Sequence, residues 1–176
     1  MEKKIEGILI DNFVICPYSD YANELYSKST FGFVNNEKHL QLTLYEALFL
    51  FEKGNLTIVD NKKKLLDSAH FIKKATKNEK TFWTKYCVFK DLRKIGYVVK
   101  TALKFGADFR VYDKGIKPGE DHAKWIVYPV KESDFITWYE FSAKNRVAHS
   151  TKKKLLIGVV DGESDVTYYE IAWRKP

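Results

Sequence analysis

VFKDLRKIGYVVKTALKFGADFRVY, residues 88–112, contains a change of hydrophobic period that decides the fold. Ahead of Gly96, the apolar residues Phe82, Trp83, Tyr86, Val88, Phe89, Leu92 and Ile95 recur at helical spacing. Residues 79–95 therefore read as a helix whose aromatic stripe belongs to a core, closed by a glycine able to take the left-handed conformation. Beyond Gly96 the pattern changes. YVVKTAL (97–103) and FRVY (109–112) carry the β-branched and aromatic content of strands.

The same strand chemistry continues in WIVYPV (125–130), LLIGVV (155–160) and VTYYEIAW (166–173). Between the first two of these, Thr137 and Glu140 have capping-box spacing, which opens FSAKNRVAHSTKK as a helix running to about residue 151. The second half is thus expected to be a mixed α/β domain, entered by one helix and crossed by another. Towards the N-terminus, IEGILI (5–10) and LTIVD (56–60) read as strands. They flank LTLYEALFLFEKG (42–54), a helix with a second capping box at Thr43 and Glu46, an apolar face of Ala47, Leu48, Leu50 and Phe51, and Gly54 to close it. The lysines at 62, 63, 64, 73, 74, 77 and 80 suit a solvated helix and its connections. That shift in composition places the expected domain boundary near residue 78, giving a small α/β domain at 1–78 and a larger one at 79–176.

Forty-five per cent of the 176 residues are hydrophobic and 15% aromatic, which excludes intrinsic disorder. Thirty Lys and Arg against 23 Asp and Glu leave a formal charge of +7. Such a balance suits a polyanionic partner, although net charge alone speaks as readily to solubility. Cys16 and Cys87 stand far apart, outside any metal-ligand spacing, and fit the reducing cytoplasm expected for this chain. No stretch is apolar for long enough to suggest a signal peptide or membrane span.

The candidate chemistry lies in FGADFRVYDKGIKPGEDHAKW (105–125). A strand delivers Tyr112 to its end, a loop with Gly115, Pro118 and Gly119 follows, and His122 closes that loop before the next strand. On spacing alone a packing tyrosine and an inert loop histidine are the better reading. With FGADFRVY and its trailing DKG, EDH ending ten residues after Tyr112, and RVAHSTKKKLLIGVVD at 146–161, however, the chain resembles the archaeal tRNA-intron endonuclease family. The resemblance extends upstream through residues 88–110 and reaches LTLYEALFLFEKG, so it covers essentially the whole chain.

That resemblance implies an α/β (α+β) protein whose C-terminal domain is restriction-endonuclease-like, a mixed sheet flanked by helices. It implies a catalytic triad of Tyr112, His122 and Lys153, with Arg146 stacking on a bulged base; Trp173 and Arg174, near the C-terminus, are further candidate substrate contacts. Lys152 and Lys154 are expected on other faces and His149 in a packing role. The implied substrate is precursor tRNA with a bulge-helix-bulge motif, without cofactor or metal. The implied assembly is a homotetramer of short subunits, joined through the C-terminal strand and the acidic loop Asp161, Glu163 and Asp165. The family often has serine after the catalytic histidine; Ala123 stands there instead, which removes one possible hydrogen bond positioning His122.

Elementary chemistry fits these side chains to RNA cleavage. RNA carries its own nucleophile, the 2′-hydroxyl beside the scissile phosphate. The reaction needs a base for the 2′-proton, an acid for the departing 5′-oxygen and a cation for the phosphorane. Imidazole titrates near about 6.5 and suits the acid; an ammonium suits the charge. Tyrosine remains as base, its proton loss aided by a neighbouring ammonium. The expected products are a 2′,3′-cyclic phosphate and a 5′-hydroxyl. A metal-dependent nuclease would need clustered carboxylates beside a lysine, and no Asp or Glu in 88–176 is followed two positions later by Lys. A non-catalytic RNA-binding structural subunit would lack part of the triad. A catalytic subunit needing a second kind of subunit remains the alternative assembly.

Overall fold

IEGILI alternates covered and open positions, so the strand it forms, β1 (Ile5–Ile10), needs a layer on one face. A computed structural model, describing residues 4–174, supplies that layer. The chain divides into two compact units, Met1–Trp83 and Thr84–Pro176, each a mixed α+β arrangement around its own five-stranded sheet.

In the first unit β1 pairs antiparallel with β2 (Phe13–Cys16) and parallel with β5 (Leu56–Val59). With β3 (Phe33–Val34) and β4 (Leu40–Thr43) the order is β3-β4-β2-β1-β5. Helix α1 (Asp20–Ser27) precedes β3, and helix α2 (Leu44–Glu52) follows β4. The capping box forms as the residue types dictate: Thr43 accepts from the Glu46 amide, and the Glu46 carboxylate accepts from the Thr43 amide. That carboxylate also accepts from the Gly32 amide at 2.9 Å, so a nearly buried acid has its lone pairs occupied. All of Leu44 to Leu50 is buried, so α2 is a core helix rather than one with a single apolar face. In α3 (Ser68–Asn78) Phe71 and Ala75 turn inward. Tyr45 stacks on Phe82 at 5.2 Å and donates its hydroxyl to Glu79.

Helix α4 (Phe82–Lys94) leads into β6 (Val98–Ala102), a 3₁₀ turn (Leu103–Phe105), β7 (Ala107–Tyr112), β8 (Trp125–Lys131), α5 (Trp138–Ser150), β9 (Lys154–Val160) and β10 (Val166–Ile171). The sheet order is β10-β9-β8-β7-β6. Neighbours are antiparallel except β8 and β9, which run parallel and are joined by the α5 crossover. Helix α4 covers one face, where Phe89 meets Phe109 at 5.9 Å. Val88 approaches Gly158 so closely that a Cβ there would lie 2.9 Å from Val88 Cγ2. Helix α5 covers the other face, with Ala148 packed among Ile126, Tyr128 and Leu155. Edge strand β10 is tied down by Tyr168 donating to Asp91 at 2.9 Å, and by Glu170 accepting from Trp125 at 2.7 Å and Lys154 at 2.6 Å. Burial, then the neighbouring Asp91 carboxylate, holds the Tyr168 phenol well above its ordinary range.

Several expectations need correction at their edges. Trp83 and Ile95 are exposed, so the α4 core stripe consists of Phe82, Tyr86, Val88, Phe89 and Leu92. Leu103 leaves β6 for the 3₁₀ turn, and β10 stops before Ala172 and Trp173. Both cysteines are free and buried, and burial pushes the Cys16 thiol up to about 12. Among the described residues no helix is long and apolar enough to cross a membrane.

The link from α5 to β9 sets the register of the three consecutive lysines. The Lys152 amide donates to His149 O at 3.0 Å and the Lys153 amide to Ala148 O at 2.8 Å, the two bonds of a Schellman closure. Lys152 occupies its left-handed position at φ +56°, where a side chain costs roughly 1–2 kcal/mol. Lys152→Gly is accordingly expected to raise stability by about 1 kcal/mol, lifting the thermal midpoint by a few degrees. A midpoint that stays level or falls would show that no strain is stored at Lys152.

Candidate active site

Pairing in the second sheet brings four strand ends to one edge. The Lys124 amide donates to Val111 O at 2.8 Å, and the Lys154 amide donates to Lys124 O at 3.1 Å. The end of β7 and the starts of β8 and β9 therefore lie side by side. Beyond Ile171, paired with Leu155, the outgoing chain of β10 runs past the start of β9. Adjacent strands lie about 4.8 Å apart, so Tyr112 and Lys153 stand roughly 10 Å apart along this edge, with the His122–Lys124 segment between them.

Tyr112 is buried against Val98, Ala123 and Ile116, which fixes its ring. The loop after it is built from small turns. Ile116 N donates to Asp113 O and Glu120 N to Lys117 O, while Gly115 and Gly119 take φ of +79° and +101°. His122 is exposed at the loop's end, its amide donating to Asp121 Oδ1 at 2.6 Å. Among the described residues no hydrogen bond holds its imidazole. Ala123, the departure from serine, is buried beside Tyr112 and anchors the loop one residue from the histidine.

Lys153 is half-buried, its ammonium donating to Thr151 O at 2.8 Å and lying 5.4 Å from the Phe105 ring centre. Burial first, and the Arg110 guanidinium second, hold its pKa below the ordinary lysine range. Its neighbours differ. Lys152 points into solvent from the left-handed turn, and Lys154 pairs with Glu170 on the α4 face.

Arg146, Trp173 and Arg174 come together. With Phe141, Asn145 and Ile171 they line an open depression of 340 Å³ between α5 and the end of β10. His149 packs edge-on against Trp173 at 4.3 Å, so this histidine braces the tryptophan. Continuing the β9–β10 register two residues past Ile171 and Leu155 sets Trp173 beside Lys153.

Two features escaped the sequence reading. Arg110 reaches this edge from β7, two residues before Tyr112; period-two alternation puts both on one face and was the available signal. The run Phe135, Ile136, Trp138 and Tyr139 lies exposed at the start of α5. Among the described residues no three His, Cys, Asp or Glu side chains gather as a metal site.

Comparison with known proteins agrees in extent and kind. The tRNA intron endonuclease family matches twice, its N-terminal domain over residues 5–72 and its catalytic C-terminal domain over residues 82–168. The tRNA-splicing endonuclease of Thermococcus onnurineus is 41% identical over 175 residues, 99% of each chain. That of Methanothermobacter thermautotrophicus is 38% identical over 173 residues, 98% of this chain and 99% of its own. That of Nanoarchaeum equitans is 44% identical over 142 residues, 77% of this chain and 90% of its own. Both halves of the chain are accounted for in order and nearly end to end: it belongs to the tRNA intron endonuclease family.

Proposed function

We propose that this chain excises introns from precursor tRNA, cutting at bulge-helix-bulge splice sites by acid–base chemistry on the RNA itself. The observation that carries the reading is the gathering of Tyr112, the His122 loop end and Lys153 at one sheet edge, beside a depression lined by Arg146, Trp173 and Arg174. Tyr112, entering as phenolate, takes the proton of the 2′-hydroxyl, whose oxygen attacks the adjacent phosphorus. Lys153 offsets the charge on the phosphorane. His122, entering as imidazolium, protonates the departing 5′-oxygen, leaving a 2′,3′-cyclic phosphate and a 5′-hydroxyl. A planar guanidinium at Arg146 and the Trp173 indole are suited to hold a bulged base.

Because the nucleophile belongs to the RNA and the proton transfers belong to side chains, cleavage is expected to continue in EDTA. A 2′-deoxy substitution on the 5′ side of the cut should abolish it. Activity that EDTA abolishes and magnesium restores, or cutting of the 2′-deoxy substrate, would overturn the mechanism.

His122→Ala and Lys153→Ala should each lower the single-turnover rate about 10²-fold or more. RNA binding by His122→Ala should change far less, since its proton is needed in the transition state. Greater sensitivity at Lys152 or Lys154 than at Lys153 would move the active lysine.

The two splice sites of a precursor call for two active sites at fixed separation, and homotetramer assembly supplies them. Strand β10 is a sheet edge with Tyr169 exposed, a surface suited to pairing. In the acidic turn Asp161 accepts from the amides of Glu163 and Asp165, both at 2.9 Å, so its carboxylate shapes the turn. Glu163 and Asp165 remain to face a partner, and the test belongs on them. Glu163→Lys with Asp165→Lys should convert a tetramer into dimers of low activity, read by light scattering. A monomeric parent, or a tetramer unchanged in the double variant, would defeat the assembly; an inactive parent homodimer would identify a required second subunit.

A further inference from the structure

Arg110 has no task in the scheme above, yet the fold keeps it in a costly place. It projects from the α5 face of β7 with Tyr112, its guanidinium carbon 5.9 Å from the tyrosine ring centre. Its cross-strand neighbour in β6 is another cation, Lys100. Its Nε is buried and donates to no group among the described residues. Leaving a buried donor unpaired costs about 1–3 kcal/mol, and more when the group is charged. The acid two residues back, Asp108, pairs with Lys85 at 2.6 Å.

Lys153 repeats the pattern. Its ammonium meets a carbonyl and an aromatic ring, and no ion pair joins it to a carboxylate among the described residues. The two cations start from different strands, diagonal across β8, yet Arg110 is close enough to disfavour the charged lysine. Two half-buried like charges repel. A shared anion would remove that repulsion and satisfy the idle Nε–H. We propose that Arg110 and Lys153 together form a binding site for the scissile phosphodiester, in which Arg110 donates Nε–H and a terminal N–H to its non-bridging oxygens while Lys153 adds a point charge. The fork of the guanidinium matches two phosphate oxygens as an ammonium cannot. As charge develops on the phosphorane, both contacts strengthen, so Arg110 counts as a catalytic residue. This inference rests on the active-site reading above and extends it by one group.

The test uses the full chain with a bulge-helix-bulge RNA, and the 2′-deoxy form of that RNA as an uncleavable binding probe. Arg110→Met, which keeps the apolar stem, should lower the single-turnover rate about 10²-fold. Its dissociation constant for the 2′-deoxy probe should shift by less than about tenfold, because the contact matters most in the transition state. Arg110→Lys should recover only part of the rate. Guanidinium ion at low millimolar concentration should partly restore Arg110→Ala; it should do nothing for Lys153→Ala, and urea should restore neither. An Arg110→Met rate within about threefold of the parent, with Lys153→Ala inactive, would overturn the Arg110 assignment and leave the triad standing. Undiminished cleavage by both variants would bring down the triad as well. Loss in Arg110→Ala that guanidinium fails to restore would make Arg110 structural. Where Arg110→Met does not fold, Arg110→Lys decides: a folded variant at parental rate overturns the proposal.

Discussion

The parallel pairing of β8 with β9 is the constraint on which the candidate site depends. Two parallel neighbours cannot be joined by a hairpin; the chain must travel back the length of the sheet, and here it does so through α5. Both strands therefore begin at the same edge. Their outer neighbours, β7 and β10, are antiparallel to them and so end at that edge. Four stretches distant in sequence become adjacent: Tyr112 as β7 ends, His122 and Ala123 before β8, Lys153 before β9, and Trp173 after β10. The crossover helix also brings Arg146, one turn before its own end, to the depression beside them. An antiparallel β9 would begin at the far edge and carry Lys153 away from Tyr112.

Strand periodicity then sorts the charges. Lys153 and Lys154 are consecutive, so their side chains leave on opposite faces. On the α4 face Lys154 meets Glu170, which also accepts from Trp125; these two donors hold the carboxyl below its usual range. On the α5 face Lys153 shares its surroundings with Arg110. The same sequence step thus yields a neutralised structural cation and an uncompensated one. The left-handed turn at Lys152 fixes which is which, because it sets the phase in which the chain enters β9.

Much of this was legible in the residues themselves. Both capping boxes formed at the expected threonines, and the helix–strand series from 82 onward followed from the switch of period and from Gly96, which closes α4. The stretch between residues 11 and 41 was not legible. It holds strands of four and two residues and a helix of eight, too short for a period to show, and their pairing is fixed by β1 and α2 rather than by local pattern. At the candidate site, the tyrosine, histidine and lysine were proposed from motif order, whereas Arg110, inside the same motif, was not singled out. Its idle Nε is a property of packing. No spacing rule distinguishes an arginine at a strand's rim from one that, among the described residues, stands near other cations and pairs with no acid.

The candidate site also divides into a more buried part and an exposed one, and the division follows the proposed proton transfers. Tyr112 is clamped on three sides, and Lys153 is held by the helix closure and its own carbonyl contact. Both would act on the attacking side and the phosphorus, whose positions are set once the phosphate is seated. His122 would act on the leaving oxygen, the part of the substrate that travels during the reaction. It stands at the end of a loop with two left-handed glycines, anchored by the packing of Ala123; among the described residues no hydrogen bond reaches its ring. An acid that must follow a moving oxygen is poorly served by a rigid second contact, and well served by a short tether beside a rigid base. In the proposed mechanism the missing serine hydroxyl then removes a constraint that this arrangement would not need, because the imidazole would take its orientation from the RNA it is proposed to protonate.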